Sequence, residues 1–164
     1  MNNIAIIDYG MSNLSSVIRA TRYVAPNDSV IVTSKAEEIN NADKIIFPGQ
    51  GAAKKCMESI VKKNLSKIIK KNSQEKPFLG ICMGMQVLMD FSEENNGTNC
   101  LGIIKGKVRK FKRKENIKIK IPHMGWNKVI QKNDHPIWYN IDNESYFYFV
   151  QSYFVEPIDK SYVI

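Results

Sequence analysis

The chain has 164 residues, and its 24 lysines and arginines against 16 aspartates and glutamates give a formal net charge of +8. This length favours one domain with its own hydrophobic core, and no apolar run approaches the ~18 residues that a membrane-spanning helix needs. The three cysteines are an odd number and widely spaced, which argues against a disulfide framework and for a cytoplasmic protein. Cysteine and histidine spacing fits no zinc site, and we expect neither a metal nor another cofactor.

Apolar runs alternate with amphipathic segments through the first half of the chain. The apolar runs predict strands at residues 4–8, 29–33, 44–47 and 78–81, and the segments between them predict helices at residues 14–24 and 52–71. Short connections between alternating strands and helices are typical of a parallel sheet with helices on both faces. In such a sheet ligands bind at the carboxyl ends of the strands.

The pattern changes after Asn99, where strands are predicted at residues 103–111, 117–121, 127–131 and 146–156. These strands predict a small antiparallel lobe after residue 100, added to the parallel core. The final residues form an apolar run without a polar tail, so we expect the last strands of the fold to be missing. The expected organisation is a single, incomplete domain over residues 1–164.

Much of the excess positive charge lies at residues 105–114, where basic and apolar residues alternate as in an exposed strand. A nucleic-acid surface is one interpretation of such a run. A solvated strand face, or contact with a phosphorylated substrate or an acidic partner, is favoured over it. We therefore expect no nucleic-acid partner, and no membrane partner either.

The segment around Cys82 carries the strongest chemical signal. An apolar run ends at this cysteine, Gly80 and Gly84 stand two residues to either side, and the apolar residues from Met85 onward predict a helix. This is the pattern of a nucleophile elbow, a sharp turn from a strand into a helix. It predicts that the Cys82 thiolate is stabilised at the start of the helix and that the Met83 N–H faces the carbonyl that the sulfur attacks. A buried cysteine in a tight turn is the alternative interpretation.

A second loop, Pro48-Gly49-Gln50-Gly51, follows a predicted strand and precedes a predicted helix. Glycines allow a peptide to point its N–H inward, as an oxyanion hole requires, although Gly-x-Gly loops are also common turns. The position of the loop favours a role in the site. It follows the strand that precedes the strand of Cys82, so we expect the two to be neighbours in the sheet.

Five segments together resemble the class I glutamine amidotransferases and, within that class, the glutaminase subunits of imidazole glycerol phosphate synthases. They are Asp8-Tyr-Gly-Met-Ser-Asn-Leu-Ser-Ser-Val17, Phe47-Pro-Gly-Gln-Gly51, Pro77-Phe-Leu-Gly-Ile-Cys-Met-Gly-Met-Gln86, Ile121-Pro-His-Met-Gly-Trp-Asn127 and Tyr146-Phe-Tyr-Phe-Val-Gln-Ser-Tyr153. The cysteine segment marks the class, and the first and fourth segments narrow the resemblance to the histidine-pathway subunits. The resemblance covers nearly the whole chain and implies a flavodoxin-like α/β sandwich.

The resemblance also implies an activity. Cys82 would attack the side-chain amide of glutamine, release ammonia and form a thioester that water then hydrolyses. The ammonia would pass to a (β/α)8-barrel cyclase subunit, the partner in a heterodimer, which makes imidazole glycerol phosphate in histidine biosynthesis.

The same resemblance implies roles for further residues. The backbone N–H groups expected in the oxyanion hole are those of Gln50 and Met83. The residues expected to hold the α-amino and carboxylate groups of glutamine are Gly51, Gln86, Gln151, Ser152 and Tyr153. The residues expected to face the cyclase are Asn13, Trp126 and Tyr148.

The chain departs from the family in two respects. The catalytic histidine and glutamate of the family lie beyond the position equivalent to Ile164, and neither His123 nor His135 is expected to replace the histidine. We therefore expect this chain to be inactive even with its partner. Gln151 stands where the family usually has a histidine, and a glutamine cannot become positively charged. Two alternatives stay open: an inactive scaffold that stabilises the cyclase, and a glutaminase that serves a different synthase.

Overall fold

A computed structural model describes residues 1–112 and 120–164 of the chain. The helices in these ranges are α1 (Leu14–Val24), α2 (Ala36–Asn41), α3 (Ala53–Lys62), α4 (Ser66–Glu75) and α5 (Met83–Gln86). The strands are β1 (Asn3–Ile7), β2 (Ser29–Thr33), β3 (Lys44–Gly49), β4 (Phe78–Cys82), β5 (Met89–Ser92), β6 (Thr98–Asn99), β7 (Ile104–Lys110), β8 (His123–Lys128), β9 (Tyr146–Gln151) and β10 (Tyr153–Pro157). Among the described residues, no helix is both long and apolar enough to cross a membrane.

The first four strands form a parallel sheet in the order β2-β1-β3-β4. The connection through α1 runs from β1 to β2, toward one edge of the sheet. The connections through α2, and through α3 and α4, run toward β4 at the other edge. Because such crossovers are right-handed, α1 lies on one face of the sheet and the other three helices lie on the opposite face. The structure thus has the α/β architecture with helices on both faces that the sequence predicts.

The main core lies between this sheet and the helices α2, α3 and α4. The apolar residues of α3 and α4 recur every three or four positions, so that one face of each helix turns toward the sheet. The fully buried side chains of this core include Ile7, Tyr9, Ile39, Ile45, Phe47, Cys56, Ile60, Leu65 and Ile69. This packing fixes the carboxyl ends of β1, β3 and β4 at a common edge, where the predicted site motifs lie.

The second half of the chain forms a four-stranded sheet, β10-β7-β5-β6, and a separate hairpin of β8 and β9. Three of the pairings are antiparallel as expected, but β5 and β7 pair in parallel. The lobe also begins earlier than residue 100, because β5 starts at Met89. The prediction of a purely antiparallel lobe is corrected in these two respects.

The helix predicted over residues 52–71 is two helices. The chain leaves α3 at Asn64, whose φ of 57° lies in the left-handed region. The Asn64 N–H donates to the carbonyl of Val61 at 2.9 Å, and the Leu65 N–H donates to the carbonyl of Ile60 at 3.0 Å. This pair of bonds ends a helix at a left-handed residue, and the apolar periodicity continues across it.

Other boundaries also differ from the prediction. The short helix α2 was not predicted, and β8 lies N-terminal to the predicted strand 127–131 because its register pairs His123 with Gln151. The strand predicted at 146–156 is β9 and β10, interrupted at Ser152. Of the strand predicted at 117–121, residues 117–119 lie outside the described residues, and the last two are not in a strand.

The described part of the basic run lies mostly in β7. Lys105 pairs with Asp90 at 3.0 Å, and Arg109 pairs with Glu156 at 2.5 Å. Carboxylates thus compensate two of its charges, as expected of a solvated strand face. Residues 113 and 114 of the run lie outside the described residues.

Candidate active site

Cys82 is the last residue of β4 and has backbone angles of φ 55° and ψ −117°. A non-glycine residue at positive φ costs about 1–3 kcal/mol and persists only when its surroundings hold it there. The Cys82 side chain is exposed, so the buried-cysteine interpretation does not apply. The structure therefore has the sharp strand-to-helix turn that the sequence predicts at this residue.

Close backbone packing explains the two glycines around the turn. A Cβ atom at Gly84 would overlap the carbonyl oxygen of Phe47 in the neighbouring strand. A Cβ at Gly80 would lie 2.9 Å from the Cα of Met85. Both glycines are needed because α5 folds directly back onto β3 and β4.

The helix after Cys82 is shorter than predicted. α5 ends at Gln86, and Met89 already pairs with Ile104 of β7, so the apolar residues expected on a long helix enter a turn and a strand instead. A single helical turn has a small dipole, and stabilisation of a thiolate must come mainly from the first N–H groups. The Met83 N–H, the first of these groups, is therefore the main candidate for this stabilisation.

The glycine loop lies beside Cys82, as its position in the sequence predicts. Gly49 is the direct register partner of Cys82 in the parallel pair of β3 and β4. A Cβ at Gly49 would overlap the Tyr9 hydroxyl and lie 2.7 Å from the Gly84 nitrogen. The loop is therefore confined between the segment after β1 and the start of α5.

In this conformation the Gln50 N–H does not face the cysteine. It donates a hydrogen bond of 2.7 Å to the carbonyl oxygen of Met11. An oxyanion hole needs a donor that is free to face the developing charge. No local sequence pattern indicates this bond, since it joins two segments that are far apart in the chain.

Cys82 opens into a cleft of about 590 Å³ between β4, α5 and the second lobe. Its lining residues are mainly apolar and aromatic, and among the predicted site residues it brings together Cys82, Gln86, Tyr148, Gln151 and Tyr153. The predicted residues outside this lining are Asn13, Gln50, Gly51, Met83, Trp126 and Ser152. Met83 directly follows the nucleophile with its side chain buried, while Gln50 and Gly51 continue the loop next to it.

Two polar side chains in the cleft differ from their ordinary state: Gln86 has an acceptor without a partner, and Tyr153 has a raised pKa. The Gln86 Oε1 atom is buried and has no hydrogen-bond partner among the described residues. Burial raises the pKa of the Tyr153 hydroxyl, and the nearby carboxylates of Glu94 and Glu93 raise it further. The cleft thus contains an acceptor without a partner and a hydroxyl that keeps its proton.

Glu94 is a candidate that the sequence analysis missed. Its carboxylate accepts a hydrogen bond of 2.7 Å from the backbone N–H of Ala53, at the start of α3 and just beyond Gly51. Its negative charge also raises the pKa of the Tyr153 hydroxyl. Its position depends on the β5–β6 connection folding over α3, so composition and spacing offer no signal for it.

Neither histidine of the chain, both of which are described, belongs to the lining of the Cys82 cleft. His123 lies in β8 and lines a different cavity, with Phe111 and Asn127. His135 accepts a hydrogen bond of 3.1 Å from the Ile137 N–H through its Nδ1 atom. That neither histidine acts as the catalytic base stays a prediction.

The hairpin of β8 and β9 has one half-buried face and one exposed face, and residues from both faces of β9 line the cleft. On the exposed face Trp126 is opposite Tyr148, their rings meet edge to face with centroids 5.5 Å apart, and their exposed fractions are 68% and 55%. Met124 and Val150 extend the same exposed apolar face. Asn13 is exposed just before α1. Exposed aromatic faces of this kind are typical of protein interfaces.

Comparisons with known proteins agree with these features. Residues 5–164 match the family model for class-I glutamine amidotransferases. The imidazole glycerol phosphate synthase subunit HisH of Hydrogenovibrio crunogenus is 52% identical over 161 residues, which cover 98% of this chain and 76% of that protein. The corresponding subunit of Pseudomonas syringae pv. syringae is 44% identical over 167 residues, covering 100% of this chain and 78% of that protein. A solved structure of a glutamine amidotransferase shares the fold, with a TM-score of 0.68 at 11% identity over 95% of this chain and 75% of that chain.

We expect Gly84→Ala to lower the free energy of unfolding by about 3 kcal/mol, because the new methyl group meets a backbone carbonyl that cannot move aside. Urea unfolding followed by circular dichroism measures the change. Lys67→Ala, on the exposed side of α4, is the control and should change stability by less than about 0.5 kcal/mol. Equal stabilities of Gly84→Ala and the control would contradict the close packing of α5 on β3.

Proposed function

Because the chain belongs to the class-I glutamine amidotransferase family, we propose that it acts as the glutaminase subunit of an imidazole glycerol phosphate synthase, which supplies ammonia for histidine biosynthesis. The observation that carries the proposal is Cys82. It is exposed, held at positive φ by close backbone packing, and directly beside the Gly49–Gln50 loop. We place this reaction in the cytoplasm.

In the proposed reaction the Cys82 thiolate attacks the side-chain carbonyl carbon of glutamine. The carbonyl oxygen becomes an oxyanion, which the Met83 N–H is positioned to receive because it directly follows the nucleophile. Collapse of this intermediate breaks the C–N bond, ammonia leaves with a proton from a general acid, and a thioester remains. Attack of water on the thioester releases glutamate and restores the thiolate.

The cleft and the residues beside it offer partners for the two charged ends of glutamine. The unpaired Gln86 Oε1 can accept a hydrogen bond from the α-ammonium group, and the Glu94 carboxylate supplies the opposite charge nearby. Amide and hydroxyl donors from Gln151, Ser152 and Tyr153 can bind the α-carboxylate. The uncharged Gln151 contributes a hydrogen bond without the positive charge of a histidine.

Completion of the oxyanion hole requires a change in the glycine loop. The Gln50 N–H must leave the carbonyl of Met11, to which it donates at 2.7 Å, and turn toward the cleft. Gly49 and Gly51 flank Gln50, and Gly51 already has a φ of 94°. Since glycine adopts backbone angles on both sides of φ = 0, rotation of one peptide can make this change without moving the strands.

The described residues offer the thiolate no histidine base in the cleft. We therefore expect that these 164 residues bind glutamine but do not turn it over unaided. A general base from outside this set of residues would complete the reaction. The same absence, together with the exposed aromatic hairpin face, favours the scaffold role as the second candidate function.

The exposed hairpin face is proposed as the surface that meets the synthase subunit, a (β/α)8-barrel cyclase. Trp126 and Tyr148 form its centre, and Asn13 would add a polar contact at its edge. Tyr148 and Val150 of this exposed face also line the Cys82 cleft, so ammonia released there would start close to the proposed partner surface. A different synthase with a complementary surface would use the same face.

Chemical rescue tests the glutaminase proposal. Without additives, ammonia release from L-glutamine should equal that of Cys82→Ala, because no base reaches the sulfur. Imidazole at ~0.1 M should enter the open cleft and raise release by the wild-type chain at least about tenfold above Cys82→Ala. A coupled glutamate dehydrogenase assay measures the ammonia.

Three outcomes of the rescue experiment are informative. Release without imidazole that depends on Cys82 would show that a base is present among these residues and overturn our expectation. Rescue that depends on Cys82 would support the glutaminase. Equal rates for wild type and Cys82→Ala in imidazole would contradict it and favour the scaffold.

We expect Trp126→Ala to weaken the binding of the barrel subunit by about 2 kcal/mol, or roughly 30-fold, because it removes the central aromatic anchor of the exposed face. Isothermal titration calorimetry measures the affinity. The control is Tyr139→Ala, which removes an 81%-exposed aromatic residue from the connection between β8 and β9 rather than from either strand, and should change binding less than about twofold. The same weakening in both variants would argue against the hairpin face as the interface.

A further inference from the structure

A second cysteine, which the proposed reaction does not use, lies behind the glycine loop. Cys56 is in α3 and is completely buried. Its sulfur lies 3.6 Å from the carbonyl oxygen of Gln50 and 3.8 Å from the hydroxyl oxygen of Tyr9, which is also completely buried. The thiol thus bridges the loop beside the nucleophile and the segment after β1.

The direction of these two hydrogen bonds follows from the groups involved. A carbonyl oxygen can only accept, so the Cys56 S–H donates to Gln50 and the Tyr9 O–H donates to the sulfur. Burial raises the pKa of the Cys56 thiol and of the Tyr9 hydroxyl above their ordinary values, so both groups keep their protons. The chain Tyr9 O–H to Cys56 S–H to Gln50 C=O is therefore complete and uncharged.

α3 also holds the segment from which Tyr9 projects. Ser59 donates its hydroxyl to the Tyr9 carbonyl, and Lys63 donates to the Asp8 carbonyl at 3.0 Å. Positions 56, 59 and 63 share one face of the helix because they are three and four residues apart. The Tyr9 hydroxyl therefore presents a fixed donor to the sulfur.

The two peptide groups of Gln50 are held by different partners. Its N–H is bonded to the Met11 carbonyl, and its C=O is bonded to Cys56. The first bond must break to complete the oxyanion hole, whereas the second involves the next peptide along the chain. The first bond can therefore break while the second stays in place, and loss of the second would loosen the segment that carries the first.

We propose that Cys56 is a positioning residue, which fixes the Gln50–Gly51 peptide so that only the Gly49–Gln50 peptide turns toward Cys82. This inference rests on the proposed function, in which that turn completes the oxyanion hole. The buried S–H bond fixes the carbonyl of Gln50, and the bond from the Tyr9 hydroxyl fixes the sulfur. Without the thiol, both peptides of the loop are free to move, and the N–H is presented in several directions.

Amide hydrogen exchange, measured by NMR on the uniformly ¹⁵N-labelled chain, tests this proposal. The variants are Cys56→Ala, which removes the donor, and Cys56→Ser, which retains a donor. Cys100→Ala is the matched control, because the Cys100 thiol donates to the Thr98 carbonyl at 3.5 Å in the second lobe and not to the loop. Amides of β1 and β3 report the stability of the surrounding sheet.

Cys56→Ala should accelerate exchange of the Gln50 amide about tenfold, because a buried carbonyl loses its donor and the loop loosens. Cys56→Ser should restore the wild-type rate to within about threefold, since a hydroxyl donates to the same carbonyl. Cys100→Ala should leave the Gln50 rate unchanged. The amides of β1 and β3 should exchange at wild-type rates in all three variants.

An unchanged Gln50 rate in Cys56→Ala would overturn the proposal. Equal acceleration at Gln50 and throughout β1 and β3 would also overturn it, because it would show that the thiol only stabilises the fold. If Cys56→Ala does not fold, Tyr9→Phe replaces it as the test variant. Tyr9→Phe removes the hydrogen bond that fixes the sulfur and should accelerate Gln50 exchange about threefold. No acceleration would contradict the proposal. The exchange experiment needs neither glutamine nor a partner, so its result is independent of whether the chemical rescue supports the glutaminase.

Discussion

The close approach of α5 to β3 is the constraint on which the candidate site depends. Gly84 packs against the Phe47 carbonyl, and Gly49 packs against both the Gly84 nitrogen and the Tyr9 hydroxyl. No side chain fits between these backbones, so the chain must reverse within one residue, and Cys82 takes the positive φ that this requires. The same contact places the glycine loop next to the sulfur. An exposed cysteine, an adjacent N–H and a neighbouring glycine loop are therefore consequences of one packing arrangement.

Contacts outside the cleft hold the glycine loop. The Met11 carbonyl, in the segment after β1, accepts a hydrogen bond from the Gln50 N–H. Ser59 and Lys63 hold the same segment by donating to the carbonyls of Tyr9 and Asp8. In this arrangement the predicted second donor of the oxyanion hole is engaged elsewhere. Because Asn13 lies two residues beyond Met11, the proposed partner surface and the loop share one segment. Binding at that surface can thus act on the Gln50 N–H through a short stretch of backbone.

Much of this architecture follows from sequence patterns, while the details of the site do not. Strand–helix alternation predicts the parallel sheet. The helix at 14–24 and the strand at 29–33 have the predicted limits because turn-forming residues and apolar periodicity indicate the same boundaries there. The adjacency of the glycine loop and Cys82 also follows, since consecutive strands in such a sheet are usually neighbours. The break at Asn64, the short α5, the bond from Gln50 to Met11 and the position of Glu94 all depend on contacts between distant segments, which local patterns do not contain.

The central claim is that Cys82 is a nucleophile in a site that recognises glutamine. The most direct measurement is the rate at which the L and D enantiomers of a chloroketone analogue of glutamine alkylate the chain, with the modified residue identified by mass spectrometry. Such a reagent needs the thiolate and the substrate-binding groups but no general base. The account predicts modification at Cys82 alone, with the L enantiomer faster by about tenfold or more because the α-ammonium and carboxylate groups are bound stereospecifically. Equal rates for the two enantiomers, or preferential modification of Cys100, would contradict it.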